Sequence, residues 1–265
     1  MNPFFEKDGV KLYHSDCISG LKEIAPGSAD LVFADPPFNL KKEYEKGDEG
    51  WKDDDEYYQW CGRWISEAWT ILRPGGTFWL MTIQKHLNVM WTELSKGGTY
   101  RKLIVWKNSS MPLKTNFCTA FQPILYFVKP PEDDCVFNYG FEKSKAPVKL
   151  TYGRVNESGS ITDIWDDIPF ISGGCIVSRE AILIPGTKKK MHDCQMPIRL
   201  ARRILGYTTE EDSLTVDLFC GSGTMLEAAW ALDRACIGFE DKERHCKTIV
   251  SRMESAFGED SIFDV

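Results

Sequence analysis

The chain has 265 residues, of which 43% are hydrophobic and 27% are charged, and its formal net charge is −7. This length is sufficient for one large domain with a substantial core, and the composition is ordinary for a globular protein. The longest apolar runs fall far short of a membrane span, and the first residues do not resemble a signal peptide. We therefore predict a cytoplasmic protein without membrane helices.

The nine cysteines are scattered singly, without a CxxC pair. They predict neither a disulfide framework nor a zinc site. The negative net charge argues mildly against a nucleic-acid partner. However, residues 85–114 hold six Lys or Arg side chains and a single acid. Such a segment can form a basic surface for phosphates on an acidic protein, and a solvated face explains it equally well.

Strands and helices alternate over the first 128 residues. Apolar runs predict strands at 10–13, 29–33, 77–82, 102–106 and 122–128. Helical spacing predicts helices at 15–24, 54–72 and 85–94. The Arg73-Pro74-Gly75-Gly76 run is expected to end the second helix. The charged residues 41–56 lack periodicity and predict a mobile loop beside a binding site.

The motif Asp35-Pro36-Pro37-Phe38 follows the second predicted strand. Two prolines fix φ and remove two backbone donors, so the strand must end in a stiff turn with free carbonyls. Ligands bind at the carboxyl ends of the strands in open α/β sheets. The turn therefore predicts a site where a carboxylate, a proline carbonyl and an aromatic face lie together. A rigid loop without a ligand is the structural alternative.

Between residues 129 and 190 the pattern changes to Pro, Gly, Ser and charge, with short β-like pieces such as 147–152 and no long helix. This composition predicts an inserted module or a set of long loops. Within it, residues 164–169 are expected to pack back on the core. The helix predicted at 195–205 restores the α/β order.

A glycine loop follows the next predicted strand, in the run Asp217-Leu218-Phe219-Cys220-Gly221-Ser222-Gly223-Thr224. Strand, Gly-x-Gly turn and helix form a nucleotide-binding unit, and a further strand ends in Glu240, where a partner for a ribose hydroxyl is expected. Leu226 replaces the third glycine of a dinucleotide fingerprint, which favours a ligand without a pyrophosphate. Because few residues remain after this loop, most strands must precede it. The fold is therefore predicted to be permuted, with the Asp35 half first.

This order of motifs resembles the β-group of S-adenosylmethionine-dependent amino DNA methyltransferases. Further segments match that family's motifs over about three quarters of the chain: Ser15-Asp16-Cys17, Arg73-Pro74-Gly75-Gly76, Val105-Trp106-Lys107 and the run from His192 to Pro197. The resemblance implies an α/β fold with a Rossmann-like methyltransferase sheet, a permuted motif order and an inserted target-recognition region. It divides the chain into a catalytic half at 1–128, a target-recognition insertion at 129–191 and a cofactor-binding half at 192–265.

The resemblance also implies a role for each candidate residue. The catalytic residues are expected to be Asp35, Pro36, Pro37 and Phe38. Residues expected to bind S-adenosyl-L-methionine are Asp16, Cys17, His192, Gln195, Asp217, Phe219, Cys220, Gly221, Ser222, Gly223, Thr224 and Glu240. Of these, Glu240 would bind the ribose hydroxyls, Asp217 and the loop the methionine part, and Asp16 with Cys17 the adenine. Structural roles remain open for Cys17, His192 and Thr224, and Asp16 could simply cap a helix.

Three functions compete. The leading one is methylation of the exocyclic N6 of an adenine that is flipped out of double-stranded DNA, because Asp opens the Pro-Pro motif. Cytosine-N4 methylation is the related hypothesis, and a non-catalytic nucleic-acid-binding subunit of the same fold is the alternative from another class. The sequence leaves open the recognition site, a companion restriction enzyme, any preference for hemimethylated DNA and homodimer formation.

Overall fold

The computed structural model of the protein describes residues 1–40, 50–111, 117–142, 148–149, 155–156, 161–169 and 195–258. The strands are β1 Phe5–Lys7, β2 Val10–His14, β3 Ala29–Ala34, β4 Leu72–Met81, β5 Thr99–Met111, β6 Thr119–Val128, β7 Val148–Lys149, β8 Val155–Asn156, β9 Ile164–Trp165, β10 Leu214–Asp217 and β11 Ala235–Glu240. The helices are α1 Cys17–Leu21, α2 Asp54–Ile71, α3 Leu87–Leu94, α4 Ile198–Thr208, α5 Thr224–Trp230 and α6 Glu243–Gly258, with a 3-10 helix at Gln84–His86.

Within the described parts of the chain, nine strands form one mixed sheet in the order β1-β2-β11-β10-β3-β4-β6-β5-β9. The five strands from β2 to β4 in this order are parallel to one another, whereas β1 and β6 run antiparallel to the strands beside them. The α/β prediction is confirmed. Strand β2 pairs with β11, so the strands before residue 128 and the late strands β10 and β11 share one sheet.

Helices cover both faces of this sheet. One buried cluster packs α4, α5 and α6 against one face, and a second packs α1, α2 and α3 against the other. The chain leaves β10 through α5 towards β11, and it leaves β3 through α2 towards β4, in the opposite direction. A doubly wound sheet has its ligand crevice at such a switch point. The crevice therefore lies at the carboxyl ends of β10 and β3.

The long helix α2 follows the predicted aromatic stripe. Asp53 caps its first turn by accepting a hydrogen bond from the Glu56 N–H at 2.9 Å. At its other end, Lys129 donates from Nζ to the carbonyls of Trp69 and Leu72, both at 2.7 Å. Side chains therefore satisfy backbone groups at both ends of the helix that have no intrahelical partner.

The Arg73-Pro74-Gly75-Gly76 run lies within β4 rather than in a separate turn. Pairing with β3 starts at Leu72 and resumes at Thr77 after a register shift, so the run forms a bulge. Gly75 has φ +73°, and a Cβ there would lie 2.7 Å from the Asp134 backbone. The helix does end before this run, at Ile71, but the strand begins earlier than the apolar pattern indicates.

The predicted return of residues 164–169 to the core is confirmed. Strand β9 pairs with β5, and both Trp165 and Ile168 are buried. Of the loop predicted at 41–56, residues 41–49 lie outside the described residues, as do most of 129–191. None of the helices in the described ranges combines the length and the apolar character that crossing a membrane requires.

A buried ion-pair cluster attaches the 161–169 segment to α4. Arg203 has no exposed side-chain surface and donates hydrogen bonds of 2.6–2.9 Å to the carboxylates of Glu142 and Asp167. Its guanidinium also lies 5.2 Å from the Trp165 ring centroid. The Arg203 hydrogen bonds lower the pKa of Asp167 to about 2.

Replacing Arg203 with Leu is expected to lower the free energy of unfolding by about 3 kcal/mol, near the low end for breaking a buried pair because both carboxylates keep some contact with water. Urea denaturation followed by tryptophan fluorescence measures this loss. The half-exposed Arg199, which also contacts Asp167, is the matched control, and Arg199→Leu should cost less than about 1 kcal/mol. Equal losses in the two variants would contradict the special role of Arg203.

Candidate active site

The candidate site lies where β3 and β10 end side by side. Asp217, the last residue of β10, pairs in register with Phe33 of β3, and the Leu218 N–H donates to the Phe33 carbonyl at 3.0 Å. Asp35 follows β3 directly. The two acids that the sequence singled out from distant segments therefore stand at the same edge of the sheet.

The Asp35 turn forms the wall of a small cavity. The Oδ1 atom of Asp35 is buried and has no hydrogen-bond partner among the described residues. Burial raises the pKa of this carboxyl to about 7. Pro36 is buried, Pro37 is exposed and Phe38 is half-buried. The cavity has a volume of about 40 Å³ and is lined by Asp35, Phe38, Met81, Trp106, Gln122, Gln195 and Met196.

The glycine loop is shaped by residues from three elements. The Phe219 N–H donates to Asp217 Oδ1 at 3.1 Å, and the Cys220 N–H donates to the Phe239 carbonyl at 3.0 Å. Gly223 has φ +77°, and a Cβ there would lie 2.8 Å from the Ile249 side chain. Both the backbone conformation and the close approach of α6 therefore require glycine at this position.

Side chains of Thr224 and Arg252 form hydrogen bonds that hold the glycine loop in place. Thr224 Oγ1 donates to the Met196 carbonyl at 3.1 Å and lies 3.1 Å from Ser222 Oγ. Arg252 of α6 donates to the Ser222 carbonyl at 2.9 Å and forms an ion pair with Glu227. Thr224 thus has a structural role in the described chain, which links the loop to the segment that carries Gln195.

Glu240 at the end of β11 closes the other side of the loop. Its Oε2 accepts a hydrogen bond from the Gly221 N–H at 2.9 Å. Its Oε1 accepts from the Lys242 N–H and lies 3.1 Å from His245 Nδ1. Burial alone would raise the pKa of Glu240, but these contacts outweigh it and lower the pKa below its ordinary value. Glu240 is therefore the ionised acid of the site.

Asp217 has the opposite electrostatic environment. Burial raises its pKa to about 7, and the negative charges of Asp35 and Glu240 act in the same direction. Three carboxyl groups thus share one buried edge of the sheet, where burial disfavours their charged forms. Such a cluster favours a positively charged ligand, since a cation would stabilise the ionised forms.

The N-terminal motif reaches the same edge. The Ser15 N–H donates to the Glu240 carbonyl at 3.0 Å, which places Asp16 and Cys17 beside β11. The Asp16 side chain caps α1 by accepting from the Ser19 N–H at 3.0 Å. The Cys17 side chain is buried in the core under α2, and burial raises the pKa of its thiol. In the structure both side chains have structural contacts, and their backbone lies beside the end of β11.

His192 and Gln195 are the remaining residues that are expected to bind the donor. His192 lies outside the described residues. Gln195 is 1% exposed and lines the cavity with Asp35 and Phe38, so it belongs to the Asp35 side of the site. The sequence gave no role to five residues that line the cavity or contact the site residues, which are Trp106, Gln122, His86, Arg252 and His245. It also gave none to Tyr58, which contacts His86. Among these residues, only Trp106 could have been found from the sequence, because it belongs to the Val105-Trp106-Lys107 motif.

A doubly wound sheet with a glycine loop after one central strand, an acid after the next and an Asp-Pro-Pro turn at the switch point is the arrangement of a Rossmann-like methyltransferase. The chain belongs to the DNA methylase family N6_N4_Mtase, whose family model matches residues 29–251.

Two curated relatives and one solved structure illustrate the similarity. The type II methyltransferase M.BamHI of Bacillus amyloliquefaciens is 28% identical over 270 residues, which cover 96% of this chain and 59% of that protein. The DNA adenine methyltransferase YhdJ of Escherichia coli strain K12 is 26% identical over 259 residues, covering 95% and 85%. The crystal structure of TTHA0409 from Thermus thermophilus, complexed with S-adenosyl-L-methionine, has a TM-score of 0.63 at 20% identity, covering 92% and 93%, and supports the fold.

S-adenosylmethionine is the methyl donor of this family, and the described residues fit it. The donor carries a sulfonium and an ammonium group, and both positive charges suit the carboxylate cluster of Asp35, Asp217 and Glu240. Gly221 has φ +52°, a backbone conformation that glycine adopts without a steric penalty, so the loop can turn tightly at this position.

Donor binding is therefore expected to release protons. Burial raises the pKa of Asp217 to about 7 in the free protein, and the cationic donor favours its ionised form. The donor affinity should rise with pH up to about 7, by at most about tenfold per pH unit, and level off above that pH, where the carboxyl is already ionised. Calorimetry at a pH of about 6.5, in two buffers of different ionisation enthalpy, measures the release. Asp217→Asn should reduce it, and a binding enthalpy independent of the buffer would contradict the electrostatic fit.

Proposed function

We propose that the chain transfers a methyl group from S-adenosylmethionine to the exocyclic N6 of adenine in double-stranded DNA. The observation that carries this proposal is the buried Asp35 Oδ1, which lacks a partner among the described residues and lines a cavity beside Phe38. A buried carboxylate oxygen without a donor is unfavourable by itself, and an amino group of a substrate would supply that donor. The similarity to YhdJ over 95% of this chain supports adenine as the base.

The chemistry of an aromatic amine explains the residues of the turn. The exocyclic nitrogen is a poor nucleophile because its lone pair is delocalised into the ring. Hydrogen bonds from this amino group to Asp35 Oδ and the Pro36 carbonyl would favour a tetrahedral nitrogen with an available lone pair. Both contacts strengthen as positive charge develops on the nitrogen, so they stabilise the transition state more than the ground state. Asp35 need not take the proton, which can leave after methyl transfer.

Phe38 would hold the base. An adenine inside a duplex cannot reach Asp35, so the base must leave the helix before it reacts. Its ring would then stack on Phe38, whose half-buried side chain already lines the cavity. The cavity of about 40 Å³ has room for a few water molecules but not for a nucleobase. Binding of the base therefore requires the walls of the cavity to move apart.

The loop of residues 217–224 and Glu240 would hold the donor, which supplies an electrophilic methyl group. Glu240 accepts hydrogen bonds and would bind the ribose hydroxyls, while Asp217 would face the donor's ammonium group. The backbone at Asp16 and Cys17 would contact the adenine of the donor. These assignments place the donor and the amine on neighbouring strands, β10 and β3, at one edge of the sheet.

The DNA-binding surface is proposed to include the insertion at 129–191. The basic segment offers less free charge than the sequence suggests, since Lys85, Lys96, Arg101 and Lys102 each pair with an acid. Residues 161–169 of the insertion extend the sheet beside β5, whose Trp106 lines the cavity. We place the reaction in the cytoplasm, where DNA and the donor meet in bacteria such as the sources of the curated relatives.

The test is to identify the methylated nucleoside. The purified chain is incubated with unmethylated plasmid DNA and a donor that carries a deuterated methyl group, and the DNA is digested to nucleosides for mass spectrometry. Deuterated N6-methyldeoxyadenosine is the expected product. Labelled N4-methyldeoxycytidine would overturn the assignment of adenine, and no labelled nucleoside would overturn the activity. A reaction without enzyme provides the background.

A further inference from the structure

A buried histidine contacts the turn that carries the catalytic motif. His86 belongs to the 3-10 helix that follows β4, and its side chain is completely buried. Its Nε2 lies 2.9 Å from the Phe38 carbonyl oxygen. Its Nδ1 lies 2.9 Å from the hydroxyl of Tyr58, in the first part of α2. The three residues thus form a chain of hydrogen bonds from α2 through His86 to the turn.

The protonation of His86 follows from its partners. A carbonyl oxygen can only accept, so Nε2 carries a proton and donates it to Phe38. Burial lowers the pKa of His86, which keeps the ring neutral. In the neutral ring Nδ1 is then an acceptor, and the Tyr58 hydroxyl donates to it. The contact from Tyr58 therefore fixes the tautomer that His86 needs in order to hold the Phe38 carbonyl.

A second contact holds the next residue to the same elements. Asn39 has φ +47° and donates from Nδ2 to Asp54 Oδ1 at 3.2 Å. The same carboxylate oxygen accepts from Lys85 Nζ at 2.7 Å. Phe38 and Asn39 are thus both attached to α2 and to the 3-10 helix. Because Pro36 and Pro37 make the preceding residues stiff, fixing Phe38 also fixes the direction in which Asp35 leaves β3.

We propose that His86 and Tyr58 are positioning residues for methyl transfer, which hold Phe38 so that its ring and the Asp35 carboxylate meet the target amine in reactive geometry. This inference rests on the proposed function. Neither side chain lines the cavity, so both act through the Phe38 carbonyl. Their removal should change the catalytic rate and leave the donor site, on the neighbouring strand β10, unaffected.

Three variants test the proposal. His86→Leu removes the donor to Phe38 and should lower kcat by about 100-fold, the size of effect that a displacement of about 1 Å produces. His86→Gln can present an amide N–H near the position of Nε2, and its kcat should return to within about fivefold of the wild type. Tyr58→Phe removes only the hydroxyl that fixes the tautomer and should lower kcat by about tenfold, a smaller displacement effect.

The controls separate positioning from a general loss of structure. Tyr100→Phe removes a hydroxyl at the other edge of the sheet, at the start of β5, and should leave kcat unchanged. The Kd of the donor, measured by calorimetry, should stay within about twofold in every variant, because the donor site keeps its contacts. If His86→Leu does not fold, Tyr58→Phe and His86→Gln still decide the matter.

The possible outcomes are distinct. A wild-type kcat in Tyr58→Phe, or a kcat in His86→Gln as low as in a folded His86→Leu, would overturn the positioning role. An equal weakening of donor binding would overturn it as well, because the effect would then pass through the glycine loop. If the wild-type protein itself forms no methylated nucleoside, the proposed function fails, which is a different result from active variants of an active enzyme.

Discussion

Replacing Asp35 with Asn is expected to reduce methyl transfer to DNA by about 1,000-fold, the upper end of what one preorganised electrostatic contact provides. Asn retains the shape of the side chain but exchanges a negative oxygen for an NH₂ group. That group would compete with the amine as a donor and could not stabilise the positive charge that develops on nitrogen. Single-turnover kinetics with labelled donor and DNA measure the loss.

The Kd of the donor should change by less than about threefold in Asp35→Asn, because Asp217 and Glu240 make the contacts with the donor. Calorimetry gives this affinity independently of turnover. Asp133 is an exposed acid beyond the end of β6, at the opposite edge of the sheet, and Asp133→Asn is the matched control with wild-type rate and affinity. If Asp35→Asn retained more than a tenth of the wild-type rate, the role of this carboxylate would have to be abandoned.

Replacing Glu240 with Ala is expected to weaken donor binding by about 100-fold, since hydrogen bonds to a charged group contribute about 1.5–3 kcal/mol each. The carboxylate serves the site in two ways. It holds the Gly221 N–H at 2.9 Å, which shapes the loop, and it would bind the ribose hydroxyls. Both contributions are lost together in the alanine variant. Calorimetric titration of the donor measures the change in Kd.

Glu243→Ala is the matched control for Glu240→Ala. Glu243 lies three residues further on, at the exposed start of α6, and pairs with Lys247. Glu243→Ala should leave the Kd of the donor unchanged. A donor affinity in Glu240→Ala equal to that of Glu243→Ala would remove Glu240 from the binding site.

Local sequence patterns correctly predicted the backbone structure of two segments, the turn after β3 and the glycine loop after β10, because each structure depends on a few consecutive residues. The apolar run of β3 followed by two prolines must end as a stiff turn, and β10 followed by Gly221 and Gly223 must form a loop before a helix. These features depend on φ restrictions and on the alternation of apolar residues, and both are properties of a few consecutive residues.

The remaining parts of the site depend on contacts between distant segments. His86, Tyr58 and Phe38 are separated by up to 48 residues, and no spacing in the sequence links them. In the bulge of β4, Gly75 likewise lies against the backbone of the distant residue Asp134, where a Cβ would not fit. A single sequence contains no information on such pairings beyond the residue types. The basic segment at 85–114 was open to two explanations for the same reason, since three of its four acidic partners, Asp54, Glu132 and Asp163, come from elsewhere in the chain.

The central claim is that the Asp35 turn acts on the amine and the 217–224 loop with Glu240 holds the donor. It is tested most directly by measuring the transfer of a labelled methyl group to deoxyadenosine at saturating donor, in the wild type, Asp35→Asn and Glu240→Ala. We predict that saturation restores Glu240→Ala to within about tenfold of the wild-type rate, because only binding is lost. Asp35→Asn should remain about 1,000-fold slower than the wild type at every donor concentration. Labelled N6-methyldeoxyadenosine formed by Asp35→Asn at a rate comparable to the wild type would contradict the account.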